Sequence, residues 1–146
     1  MDATSSTDDL RHRTAGAGAL LFFLGMITGL WAGAALTDKV KLGIPHLALA
    51  AHLNALLGGL WLIAVAVTLP FLSYGDTGKR RLVIATLVPA YGNWLVTVFA
   101  ALFGVTGLAY TGDHANDGIA FLLQIIVVIP ALVVTGAWAW GFRRKV

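Results

Sequence analysis

Cysteine is absent from the 146 residues, and so is glutamate. Without cysteine there is no disulfide, no iron–sulfur cluster and no thiolate chemistry. The seven acidic residues are all aspartate, and none lies inside a long apolar run. A proton-coupled pump relies on a carboxylate at membrane depth, so that class is disfavoured. Paired-carboxylate acid–base catalysis goes with it. Serine is confined to Ser5, Ser6 and Ser73. No buried serine–histidine nucleophile can therefore form. There is no glycine-rich phosphate loop and no acidic metal cluster. Charged residues make up 12% of the chain, against about 25% in a soluble domain.

What is present is apolar. Hydrophobic residues make up 58% of the chain and fall into four long runs. The fold class is therefore all-α, an integral membrane four-helix bundle forming a single domain over 15–146. The helices are expected at about 15–36, 46–72, 82–108 and 118–141. Residues 1–14, MDATSSTDDLRHRT, read as a flexible polar tail. The first run is too long for a signal-peptide core and reads as a retained span. Gly25, Gly29 and Gly33 at i, i+4 and i+8 leave one face of it open to close helix approach. Pro45 suits the first turn of the second helix. Pro70 loosens that helix's end, Pro89 predicts a kink in the third helix, and Pro130 falls mid-way along the fourth. Trp138, Trp140 and Phe142 form an aromatic belt before Arg143, Arg144 and Lys145.

Eight of the ten basic residues share one side if there are four spans, leaving only Lys39 and Lys41 on the other. This bias puts both termini in the cytoplasm, in a bacterial inner (cytoplasmic) membrane. Basic residues at helix ends suit a lipid bilayer rather than nucleic acid.

A few polar residues remain inside the spans. The stretch PHLALAAHLNALLGGLW (45–61) carries His46, His52, Asn54 and the Gly58–Gly59 pair. The third helix carries Tyr91, Asn93 and Trp94 after Pro89, and the fourth carries Gln124. A polar group in hydrocarbon needs a partner. His52 reads either as an axial ligand to a haem iron or as a hydrogen-bonding contact to a neighbouring helix. His46 near the interface reads as a ligand or as a snorkelling side chain. Asn54 reads as an interhelical bridge or a substrate contact. Asn93 either satisfies a carbonyl freed by Pro89 or meets substrate. Trp61 and Trp94 read as lipid-facing, core or site residues. His52 lies roughly 9 Å along its helix from the outer end, and Asn93 roughly 22 Å along the third from the same side. His52 and Gly59 share a face at i, i+7, whereas His52 and Asn54 do not. Such an inventory suits a bound cofactor that carries the chemistry itself.

Three segments together are similar to a known family. AHLNALLGGLWLIAVAVTLP (51–70), DTGKRRL (76–82) and YGNWLVTVFAALFG (91–104) resemble the small four-helix membrane isomerases comprising hydroxylaminobenzene mutase and styrene oxide isomerase. The resemblance implies a homotrimer with haem b seated between neighbouring subunits. It implies that the axial ligand, and hence the metal-binding residue, is His52, and that Asn93 helps place a small aromatic substrate. Ferric iron would act as a Lewis acid on an aryl hydroxylamine, giving an aminophenol, or on an aryl epoxide, giving an aldehyde. Asn54 and Tyr91 join Asn93 as catalytic candidates, with Tyr91 as a proton donor. Gly58, Gly59 and Trp94 join His52 as cofactor-binding candidates. Two departures stand out: Gly58–Gly59 replaces the Asn-Gly of the family pattern, and Thr97 replaces a tyrosine of styrene oxide isomerase. The AHL and GNW motifs look closer to the mutase branch. The alternative function is a haem-carrying electron-transfer or membrane-anchor subunit.

Overall fold

The structure, a computed structural model, describes residues 3–143, with side chains from Thr7 to Arg143. Arg144 and Lys145 of the C-terminal basic cluster lie outside the described residues, as do the first two residues of the N-terminal segment. Helix α1 spans Ala3–Leu36, α2 Pro45–Thr68 and α3 Asp76–Phe103. Helix α4 (His114–Leu122) continues through a π-helical segment, Leu123–Val128, into α5 (Ile129–Trp140). Among the described residues, four helical rods are long and apolar enough to cross a membrane, the last running His114–Trp140. Large apolar side chains such as Leu30, Phe71, Leu108 and Leu132 lie on the outside. That is the pattern of a bundle whose solvent is lipid.

The first helix starts at Ala3, not at residue 15 as the apolar run alone predicts. Local charge accounts for the difference. Asp8 pairs with Arg11 and Asp9 with Arg13, both at 2.9 Å. Acid N-terminal to base at i+3 or i+4 is the order that supports a helix. Helix α3 likewise begins six residues early, because Gly75 precedes it and Asp76 sits at its positive end. It runs unbroken through Pro89 and stops at Phe103, where Gly104 turns left-handed at φ 73°. Asp113 caps α4, its carboxylate accepting the Asn116 amide at 2.8 Å.

The π-helical segment has a cause in Pro130. In a regular α-helix its ring would collide with the Ile126 carbonyl. The wider turn avoids this, and the Ile129 amide reaches back five residues to the Gln124 carbonyl.

Helix α2 is the middle of the bundle, gripped by α1 on one side and α3 on the other. Small residues set the α1–α2 approach. A Cβ on Gly18 would fall 2.7 Å from the Gly59 carbonyl, and one on Gly25 would fall 2.9 Å from Ala55 Cβ. Gly33 meets nothing, so the glycine stripe that matters is 18, 25 and 29. At one end of the bundle the Ser73 amide donates to the Gly141 carbonyl at 2.7 Å, and Thr7 donates to Asp76. The N-terminal segment, the α2–α3 turn and the end of α5 therefore share that end.

Candidate active site

The polar residues of the spans fall into two groups on different sides of α2. His52 faces α1. Its Nδ1 donates to the Gly25 carbonyl at 2.7 Å. The ring lies over Gly29, where a Cβ would sit 2.8 Å from both Nδ1 and Cε1. With Nδ1 carrying the proton, Nε2 holds a free lone pair. Nε2 has no partner among the described residues and is not among the buried unpaired atoms, so it reaches the molecular surface.

Asn54 is two residues further on, about 200° round the helix, and faces α3. Its Nδ2 donates to Asn93 Oδ1 at 3.2 Å and to Thr97 Oγ1 at 3.0 Å. Thr97 in turn donates to the Asn93 carbonyl at 2.6 Å. Beside this cluster is a cavity of about 250 Å³ whose lining includes Asn54, Asn93, Gly58, Trp61, Val127 and Ala131. Its far wall is the π-helical segment and the start of α5. The Trp61 indole N–H is buried without a partner among the described residues.

Tyr91, Trp94 and Gly59 make contacts between helices. Tyr91 donates its hydroxyl to the Ala17 carbonyl at 2.8 Å. Trp94 donates to Thr28 Oγ1 at 3.0 Å, and Thr28 to the Leu24 carbonyl. Both bonds tie α3 to α1. Gly59 is packed against Gly18 and Phe22, so no open face remains beside it, whereas Gly58 lies against Leu21 and Ala90 next to the cavity. His46 and Gln124 are exposed, the latter accepting from Tyr110 at 3.3 Å.

Thr97 is the residue that sequence reasoning undervalued. It stands at i+4 from Asn93, which puts both on one face of α3. That spacing was the available signal. A larger cavity, about 570 Å³ beside Arg13, Asp76, Lys79 and Arg80, sits at the charged end and is lined by neither group.

The styrene oxide isomerase family model matches residues 10–143. The chain belongs to this family. It is similar to hydroxylaminobenzene mutase HabB of Ectopseudomonas oleovorans, 32% identical over 96% of this chain and 86% of that protein. It is also similar to hydroxylaminobenzene mutase HabA of the same organism, 32% identical over 60% of this chain and 59% of that protein. A styrene oxide isomerase family member similar to two mutases is an enzyme of the isomerase class.

Proposed function

We propose that the protein is a haem b-dependent membrane isomerase that converts an aryl hydroxylamine to an aminophenol or an aryl epoxide to an aldehyde. The observation that carries the proposal is the state of His52. A metal-binding histidine characteristically donates its second ring N–H to a carbonyl, which fixes the tautomer and the ring plane. His52 does this through Gly25, and its free Nε2 opens to the surface. The donor set therefore fits a haem group, and His52 is the residue that would hold its iron. When bound, ferric haem b supplies a Lewis-acidic iron that weakens the N–O or C–O bond to be broken.

The chain's own residues do the rest. Asn93 and Asn54 orient the polar end of the substrate, and the apolar walls of the adjacent cavity take its ring. An engineered apolar cavity of about 150 Å³ holds benzene, so about 250 Å³ suffices for one substituted ring. In the hydroxylamine reaction the oxygen leaves nitrogen for a ring carbon, and the proton displaced from that carbon is balanced by one gained at nitrogen. In the epoxide reaction one C–O bond opens and a hydrogen moves to the neighbouring carbon. Neither needs a co-reactant. Tyr91 keeps its hydroxyl on Ala17 and acts as a tie between helices.

His52 and the Asn54–Asn93 pair look away from each other across α2. A site needing both therefore draws on two copies: His52 of one subunit and the asparagine pair of the next. This supports a cofactor held between subunits, which we take to be those of a homotrimer; the bias of basic residues supports both termini in the cytoplasm.

The test is an absorption spectrum of the detergent-purified protein beside His52→Ala. A Soret band that collapses or shifts in the variant, together with loss of aryl hydroxylamine conversion, is the expected result. An inactive His52→Ala protein that binds haem fully would sink the ligand assignment. The electron-transfer alternative predicts a six-coordinate spectrum that no substrate perturbs. Nothing in the geometry favours it: His46, the other histidine of α2, is exposed near the helix start.

A further inference from the structure

We infer that Thr97 sets the polarity of the Asn54–Asn93 pair, so that the cavity presents one acceptor and one donor and selects a substrate group that both donates and accepts, the N-hydroxylamine, over the epoxide. This rests on the reading above that the asparagine pair borders the substrate site.

The argument is one of hydrogen-bond direction. A threonine hydroxyl has one proton, and Thr97 gives it to the Asn93 carbonyl four residues back, at 2.6 Å. Towards Asn54, at 3.0 Å, Thr97 can therefore only accept. The Asn54 atom facing it must be the amide nitrogen. That nitrogen also faces the Asn93 side chain at 3.2 Å, so Asn93 must turn its oxygen inward. Both amides are thus oriented by chemistry alone.

Two groups are left over: the Asn54 Oδ1 acceptor and the Asn93 Nδ2 donor. Neither has a partner among the described residues, and neither is among the buried unpaired atoms. Both residues line the same cavity, whose other walls include Leu57, Gly58 and Pro89. An –NH–OH group satisfies both: its oxygen accepts from Asn93 and its N–H or O–H donates to Asn54. An epoxide oxygen satisfies Asn93 and leaves the Asn54 acceptor dry. A site built to hydrogen-bond a donor discriminates strongly against an analogue lacking one.

Replacing Thr97 by valine keeps the shape and removes the lock. The Asn54 amide then loses an acceptor, and the pair can flip. Thr97→Ser restores the hydroxyl. Thr97 acts through Asn54 and Asn93, so it is a positioning residue.

The experiment compares the full-length wild type, Thr97→Val and Thr97→Ser, each loaded with haem and checked for an unchanged Soret band. The first readout is the ratio of kcat/KM for phenylhydroxylamine to that for styrene oxide. The second is calorimetric binding of benzyl alcohol, which donates and accepts, against benzyl methyl ether, which only accepts, to the same haem-loaded proteins in lipid nanodiscs. Wild type should favour phenylhydroxylamine and benzyl alcohol. Thr97→Val should lose roughly tenfold of each preference, the scale of one buried hydrogen bond, and Thr97→Ser should keep both. A preference unchanged in Thr97→Val, or a wild type indifferent to the donor, overturns the inference while leaving the isomerase reading intact. A wild type that converts neither substrate overturns the proposed reaction instead, and the binding arm then decides the amide assignment alone.

Discussion

At the scale of single residues, His52 depends on a glycine from another helix. Any side chain at Gly29 would push into the imidazole at 2.8 Å and pull Nδ1 from the Gly25 carbonyl. If His52 holds haem as proposed, Gly29→Ala should lower haem occupancy and activity by about tenfold or more, the usual cost of disturbing a ligand's second hydrogen bond. Gly33→Ala, eight residues after Gly25 on the same helix but with open space around it, should leave both unchanged. Soret absorbance per protein distinguishes the two. Tyr91→Phe makes the opposite case. It removes the hydroxyl bond to Ala17 and should cost about 1 kcal/mol of stability while activity survives; complete loss of turnover with an unchanged melting temperature would restore the proton-donor role. Residue identity was legible here, and pairing was not. His52, Asn54 and Asn93 stand out in the sequence because polarity in hydrocarbon is costly. That Asn54 meets Asn93 while His52 meets Gly25 depends on the register between helices, and no single helix's periodicity contains it.

At the scale of elements, the sequence reading located the four apolar runs but missed the polar ends that continue them. Asp–Arg pairs at i+3 and i+4 in α1 and Asp76 at the positive end of α3 support helix, so both helices extend back into segments that look like tail and loop. It also missed Asn116, which lies in what looks like a polar loop. Asn116 is buried, accepts the Gly107 amide at 3.0 Å and donates to the Ala109 carbonyl at 2.7 Å, holding the α3–α4 connection. Pro130 was visible as a disturbance, yet its effect falls upstream as a π-helical turn. That turn leans on Gly92: a Cβ there would come 2.5 Å from Ile126 Cγ2. Gly92→Ala should therefore push the segment outward, deform the cavity wall formed by Val127 and Ala131, and destabilise the protein by about 1–3 kcal/mol. Gly136→Ala, on the same rod with nothing nearby, should be neutral or gain up to about 1 kcal/mol from helix propensity. Thermal unfolding in detergent reads the difference, and equal melting temperatures for the two variants would show that the π-helical turn is not braced by α3.

At the scale of the whole molecule, the two polar groups on opposite sides of α2 make a demand on assembly. If each site takes His52 from one subunit and Asn93 from the next around a threefold ring, two defective chains can complement each other. In a mixed trimer of His52→Ala and Asn93→Ala chains, consider each junction in turn. Whether the mixture is two to one or one to two, one junction of the three joins an intact histidine to an intact asparagine. The other two lack at least one of them. Cyclic symmetry thus fixes the recovered activity at about one third of the wild-type rate per trimer, while each variant alone stays inactive. Co-expression with two different tags, purification over both, and assay of aryl hydroxylamine conversion measure it. Activity at background in trimers that carry both tags and a Soret band would mean that each chain builds its own site, and that α2 must turn or bend to bring His52 and Asn93 together.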